Sequence, residues 1–204
     1  MSLHFTLVAG PLVRASSWEP TAECLRAAGC HVQVPDVLAH HRAPPSWSAW
    51  TSQLLEHMTR GDEPIAVGHS SASALVADLA TKLPARGIII VDGDVPPARG
   101  AAFPVRPALH EFIKGLVEPD GMLPIWSKWF ARDRRRMSLV GLDVLARDAV
   151  AFARFESELP KHAYRLVRRR DRTRQLGPYP CRFYSDFSDL RSRSRRSATT
   201  WLAN

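Results

Sequence analysis

The chain of 204 residues is 45% hydrophobic and 24% charged, which excludes a wholly disordered, collagen-like or coiled-coil protein and fits one ordinary globular domain with or without a tail. Cys24, Cys30 and Cys181 are an odd, sparse set with no CxxC pair, so the sequence supports neither a disulfide framework nor a cysteine-based zinc site and reads as reduced thiols. The formal net charge of +8 is local: residues 161–204 hold 12 Lys and Arg against three acidic residues, whereas residues 1–160 hold 16 against 17.

His4 to Ala9 reads as a short buried strand that stops at the Gly10-Pro11 turn. Ser17 is placed as the N-cap of a helix over about Trp18 to Ala28, with Trp18, Ala22, Leu25 and Ala28 at helical spacing and Gly29 as the stop. A second strand, Cys30 to Val34, ends at Pro35-Asp36, and a helix over about Ser46 to Thr59 carries Trp47, Trp50, Leu54, Leu55 and Met58 on one face. Ile65 to Gly68 is a third strand, followed after a two-residue turn by a helical segment from Ser73 to Ala80; Gly87 to Val91 is the fourth. Residues 104–160 read as mainly helical, and Tyr179 to Tyr184 is the last strand. Apolar strands alternating with helices give the fold class: α/β, a doubly wound, mainly parallel sheet with flanking helices. No apolar run reaches the roughly eighteen residues of a membrane span, and no Lys or Arg precedes the apolar start as in a signal peptide, so a cytoplasmic location is expected.

Val67-Gly68-His69-Ser70-Ser71-Ala72 closes a strand and opens a helix, which stands Ser70 on a tight turn at the carboxyl edge of the sheet. Such a turn needs small neighbours, here Gly68 and Ala72, and the helix behind it aims N–H groups and a positive dipole end at charge developing beside the hydroxyl. The Ser71 N–H is the first candidate oxyanion donor. The bland alternative is a helix-capping serine.

The run from Phe5 to about Trp129 resembles the α/β-hydrolase family, with Gly68-His-Ser-Ser-Ala72 as its nucleophile elbow. The other landmarks follow the family's order: the Ala9-Gly10-Pro11 loop, Trp18-Glu-Pro20, Ala28 through Asp36, and Ile88 through Pro96. The resemblance implies an ester, thioester or related acyl substrate attacked by Ser70, with no metal and no cofactor. It also exposes departures. Pro11 stands where a second oxyanion N–H is expected and has none, so Leu12 is the candidate if the loop is shifted by one residue. The family's order is serine, acid, then a histidine after the last strand. Asp186 is the candidate acid and Asp189 the second, but no histidine follows His162. His110 and His162, from the helical insertion, are the candidate bases; His69 is not, because the elbow's second residue normally points away from the nucleophile.

The strand and helix that should complete the domain have no counterpart; Arg191 to Asn204 stands in their place. A shortened lineage that lost its triad, a reading-frame change and a functional basic tail compete as explanations, the first two preferred together. The expected organisation is a domain over 1–189 with a helical insertion at about 104–160, and a disordered Arg/Ser-rich tail over 190–204. That tail lacks interleaved aromatics, and no RNA-binding pattern accompanies it, so a nucleic-acid partner is not favoured. His40-His41 has no carboxylate partner at helical spacing, and a metal site there is rejected. Asp36, Asp92 and Asp94 read as turn or loop caps. Trp126 and Trp129 read as a stripe sealing the insertion onto the core, with pocket lining as the second role. The resulting reading is a small-molecule acyl hydrolase of weak or lost activity, of open oligomeric state; a non-catalytic binding protein of the same fold is the alternative, and polyanion binding through the basic end ranks third.

Overall fold

The computed structural model describes residues 2–38, 46–59, 63–96, 100–102, 105, 107–130, 133–164, 171–173 and 181–184. His40, His41, Asp186, Asp189 and the tail over 190–204 lie outside the described residues.

In chain order, β1 (His4–Val8) leads through a 3-10 turn at Ala15–Trp18 into α1 (Glu19–Ala27), then β2 (His31–Gln33), α2 (Trp47–Glu56), β3 (Ile65–His69), α3 (Ala72–Ala80) and β4 (Gly87–Val91). After the short β5 (Gly100–Ala102) come α4 (Pro107–Lys114), β6 (Met122–Leu123), a 3-10 turn at Trp126–Lys128, α5 (Arg134–Leu139), α6 (Leu142–Leu145), α7 (Ala149–Glu158), β7 (His162–Ala163), β8 (Asp171–Thr173) and β9 (Cys181–Tyr184).

The main sheet has the order β2-β1-β3-β4-β9, and every pairing in it is parallel. Its central strands β1, β3 and β4 carry apolar residues on both faces, as the sequence pattern requires of a sheet covered on both sides. Leu7 and Val67 face α1 through Ala22, with Leu25 and Ile89 beside them. Val8, Ala66, Ile88 and Ile90 pack with Trp50 and Leu54 of α2 and with Leu75, Val76 and Leu79 of α3. Winding reverses between β1 and β3, because β2 lies outside β1 and the chain crosses back to reach β3. The carboxyl ends of β1 and β3 therefore flank the switch point, where open α/β sheets form their ligand crevices.

The insertion has a core of its own: Val105, Ile113, Leu123, Trp129, Phe130 and Leu142 are buried together, with Leu12, Phe112, Trp126 and Phe155 packed against them. Trp129 is buried in this core and Trp126 packs against it, so both pack within this region, and the Trp129 indole N–H donates to the Pro124 carbonyl at 2.8 Å. They stand on and just after a 3-10 turn and not on a continuous helix. An antiparallel pairing of β6 with β7, which the sequence pattern does not announce, closes the base of this cap.

Candidate functional site

β3 runs into α3 through Ser70 and Ser71, and Ser70 holds a left-handed backbone with φ of 54°. A non-glycine residue there is uncommon and strained, so the turn is held from outside. The Ser70 N–H donates to the Val91 carbonyl at 2.9 Å, and its carbonyl accepts from the Ser73 N–H at 3.1 Å. Two glycines allow the approach: a Cβ on Gly68 would lie 2.7 Å from the Ala72 oxygen, and one on Gly93 would lie 2.6 Å from the Ser70 oxygen.

The Ser70 side chain is exposed and makes no hydrogen bond among the described residues, and Ser71 does not cap α3 with its hydroxyl. The capping role that would explain a serine here is therefore not being performed. Facing the elbow is the loop after β1, where a Cβ on Gly10 would lie 3.3 Å from the Ser71 Oγ. The loop closes as a turn in which the Val13 N–H donates to the Gly10 carbonyl at 3.2 Å. Among the described residues the N–H groups of Leu12 and Ser71 donate no hydrogen bond. Two backbone N–H groups with no acceptor among the described residues thus lie at the switch point, one on the loop after β1 and one in the β3–α3 turn.

The histidines are arranged differently from a serine triad. His69, at the end of β3, packs edge-on against Trp18 with ring centroids 6.5 Å apart. Crowding lowers its pKa even though part of the ring reaches solvent, and the Asp92 carboxylate opposes that shift. The His110 Nε2 is hydrogen-bonded to the Tyr164 hydroxyl at 3.0 Å, inside the cap. His162, on β7, is 2% exposed, and its Nε2 contacts the Pro11 carbonyl oxygen; its Nδ1 has no partner among the described residues. Burial pushes the His162 imidazole below its ordinary pKa, with the Pro11 contact working against the shift. The structure thus brings Ser70, Ser71 and the Leu12 loop together, and ties His110 and His162 to other partners.

Asp36, read as a turn residue, does more: it pairs with Arg14, Nη2 to Oδ2 at 2.5 Å, and accepts from the Leu38 N–H at 3.1 Å, fixing the loops after β1 and β2 to each other. Asp92 also has a left-handed backbone, at φ 45°. No group of three or more His, Cys, Asp or Glu side chains among the described residues is spaced to hold a metal ion. No helix among them is long and apolar enough to cross a membrane.

A parallel doubly wound sheet with a serine on a left-handed strand-to-helix turn at its switch point defines the α/β-hydrolase class. The sequence model described as the alpha/beta hydrolase family matches residues 7–201, and the chain belongs to that family. Among solved structures, an extracellular alpha/beta-hydrolase from a Paenibacillus species, described as sharing structural and functional homology with tobacco salicylic acid binding protein 2, is similar with a TM-score of 0.69 at 19% identity, over 89% of this chain and 76% of that one. Tomato methylketone synthase I complexed with 2-tridecanone gives 0.62 at 18% identity, over 94% and 83%. Polyneuridine aldehyde esterase gives 0.59 at 11%, over 90% and 79%. At such identities the likeness establishes the fold. No curated protein matches the chain in sequence.

Proposed function

We propose that the chain is a slow serine hydrolase of small ester, thioester or related acyl substrates, with Ser70 as the nucleophile. The observation that carries this reading is the exposed, unbonded Ser70 on a left-handed turn beside two unspent backbone donors. The Ser70 Oγ attacks the carbonyl carbon and the carbonyl π pair moves onto oxygen, where the Ser71 and Leu12 N–H groups hold the oxyanion. Collapse breaks the bond to the leaving oxygen or sulfur, which departs as alcohol or thiol with the proton that the Ser70 hydroxyl gave up to solvent. Water then adds to the acyl carbon, releasing the acid and returning a proton to the Ser70 oxygen. Similarity to an esterase, and to a synthase crystallised with a ketone, supports a small carbonyl-bearing ligand. Asp186 keeps its place as the candidate acid, with no histidine assigned to it, and a cytoplasmic location remains part of the reading.

Slowness follows from proton transfer. A serine hydroxyl needs a base within hydrogen-bond reach, and the Nε2 atoms of His110 and His162 are engaged by Tyr164 and Pro11. The same observation favours the second reading, a pocket that binds an acyl ligand without turning it over.

The test is labelling with a fluorophosphonate probe read by intact mass, beside turnover of a p-nitrophenyl ester. Slow, single-site labelling lost in Ser70→Ala is expected, with turnover far below that of a complete triad. Folded protein that takes up no probe but binds a short acyl ligand in calorimetry would replace the hydrolase reading by the binding one.

A further inference from the structure

The Pro11 carbonyl and the Leu12 N–H belong to one peptide unit. Cis peptide bonds are absent among the described residues, so the two groups point to opposite edges of that plane. Whatever grips the carbonyl therefore sets the direction of the N–H. His162 grips it, reaching the Pro11 oxygen from β7 at the base of the cap. A carbonyl only accepts, so the His162 Nε2 carries the hydrogen, and the unpartnered Nδ1 carries the lone pair. The ring is fixed in turn by burial and by Trp50, whose ring centroid lies 5.8 Å away.

The rest of the loop is clamped on both sides. Gly10 abuts the Ser71 hydroxyl, and the Leu12 side chain packs into the core of the cap. Proline has no N–H to offer at residue 11, so the next peptide is the loop's nearest donor, and its orientation decides whether the loop can hold an oxyanion.

Resting on the reading of Leu12 as an oxyanion donor, we propose that His162 is a positioning residue: its Nε2–H, donated to the Pro11 carbonyl, turns the Pro11–Leu12 peptide so that the Leu12 N–H faces the acyl oxygen at Ser70. Hydrogen bonding at the carbonyl also polarises the N–H of the same unit, strengthening it as a donor. His162 in this role is not the base, because its N–H is committed to the loop and its basic nitrogen lies on the other side of the ring.

Two variants separate this role from packing. His162→Phe keeps a ring against Trp50 but removes the donor, whereas His162→Gln carries an amide N–H at the reach of Nε2. The first readout needs no activity: the carbonyl carbon shift of Pro11 and the amide shift of Leu12, by NMR. Both are expected to move in His162→Phe and to return toward wild type in His162→Gln; unchanged shifts in His162→Phe overturn the proposal. The second is the rate of fluorophosphonate labelling at Ser70, expected to fall at least tenfold in His162→Phe and to recover to within about threefold of wild type in His162→Gln, since one oxyanion donor is typically worth about a hundredfold or more. Equal rates in all three forms also overturn it. If His162→Phe does not fold, His162→Asn, whose shorter amide stops at the Nδ1 position, replaces it with the same expectations. An unlabelled wild type discards the Ser70 reading instead, and the two shifts then decide alone: a response that glutamine reverses keeps His162 as the holder of the peptide, and no response removes it.

Discussion

Ser70 pays a conformational cost that its own side chain does nothing to offset. Its φ of 54° lies in the left-handed region, which costs an L-residue about 1–2 kcal/mol, and its hydroxyl makes no hydrogen bond among the described residues. Glycine relieves that strain while losing about 0.5–1 kcal/mol to extra freedom in the unfolded chain. Ser70→Gly is therefore expected to be about 0.5–1 kcal/mol more stable than wild type by urea denaturation, and Ser70→Ala close to wild type; neither should take up the fluorophosphonate. A Ser70→Gly protein less stable than Ser70→Ala would mean that the turn is not strained. Gly68 behaves in the opposite sense, because the atom a Cβ would meet is a backbone oxygen that cannot swing away. Gly68→Ala is expected to cost about 1–3 kcal/mol by the same measurement, as overpacking does.

At the scale of elements, what the sequence made legible was local and what it hid was long-range. β4 runs over Gly87–Val91 as the apolar run indicated, and α2 covers Trp47–Glu56 of the expected 46–59, with the Ser46 Oγ capping it by accepting from the Ala49 N–H at 3.1 Å. Ser46→Ala is expected to lower stability by about 1 kcal/mol in thermal denaturation. Ser17, read as the N-cap of α1, instead donates to the Arg14 carbonyl inside a 3-10 turn, and α1 starts at Glu19 with Pro20 in its first turn. Proline suits the first turn of a helix, so it competed with Ser17 for the start and won. The elbow was legible because strand, small residues and helix are contiguous. The partner of His162 was not, since β6 and β7 are two residues each and lie far apart in sequence, too short to carry periodicity. A histidine in the insertion could be nominated from the sequence; that it holds the Pro11 carbonyl could not.

At the scale of the molecule, the sheet core and the cap core meet at the loop after β1, and the group at that junction is a buried titratable ring. His162 is 2% exposed and burial lowers its pKa, so in the folded protein it stays neutral below the ordinary imidazole value of about 6.5. The unfolded chain takes up a proton at this site as pH falls through about 6.5, while the folded chain does not. Stability is accordingly full above that pH and declines below it, by at most about 1.4 kcal/mol per pH unit for one site, until the folded ring itself titrates. His69 is shifted in the same direction by its surroundings and adds to the slope, with Asp92 limiting its share. The urea midpoint is therefore expected to fall between pH 7 and pH 5 in wild type and to fall less in His162→Gln, which has no ring to protonate. An equally steep fall in the glutamine variant would assign the acid sensitivity to His69 and the carboxylates, and would mean that His162 is not held neutral where cap and sheet join. A shallower one would identify the ring that turns the Pro11–Leu12 peptide as the group whose protonation loosens the cap from the sheet.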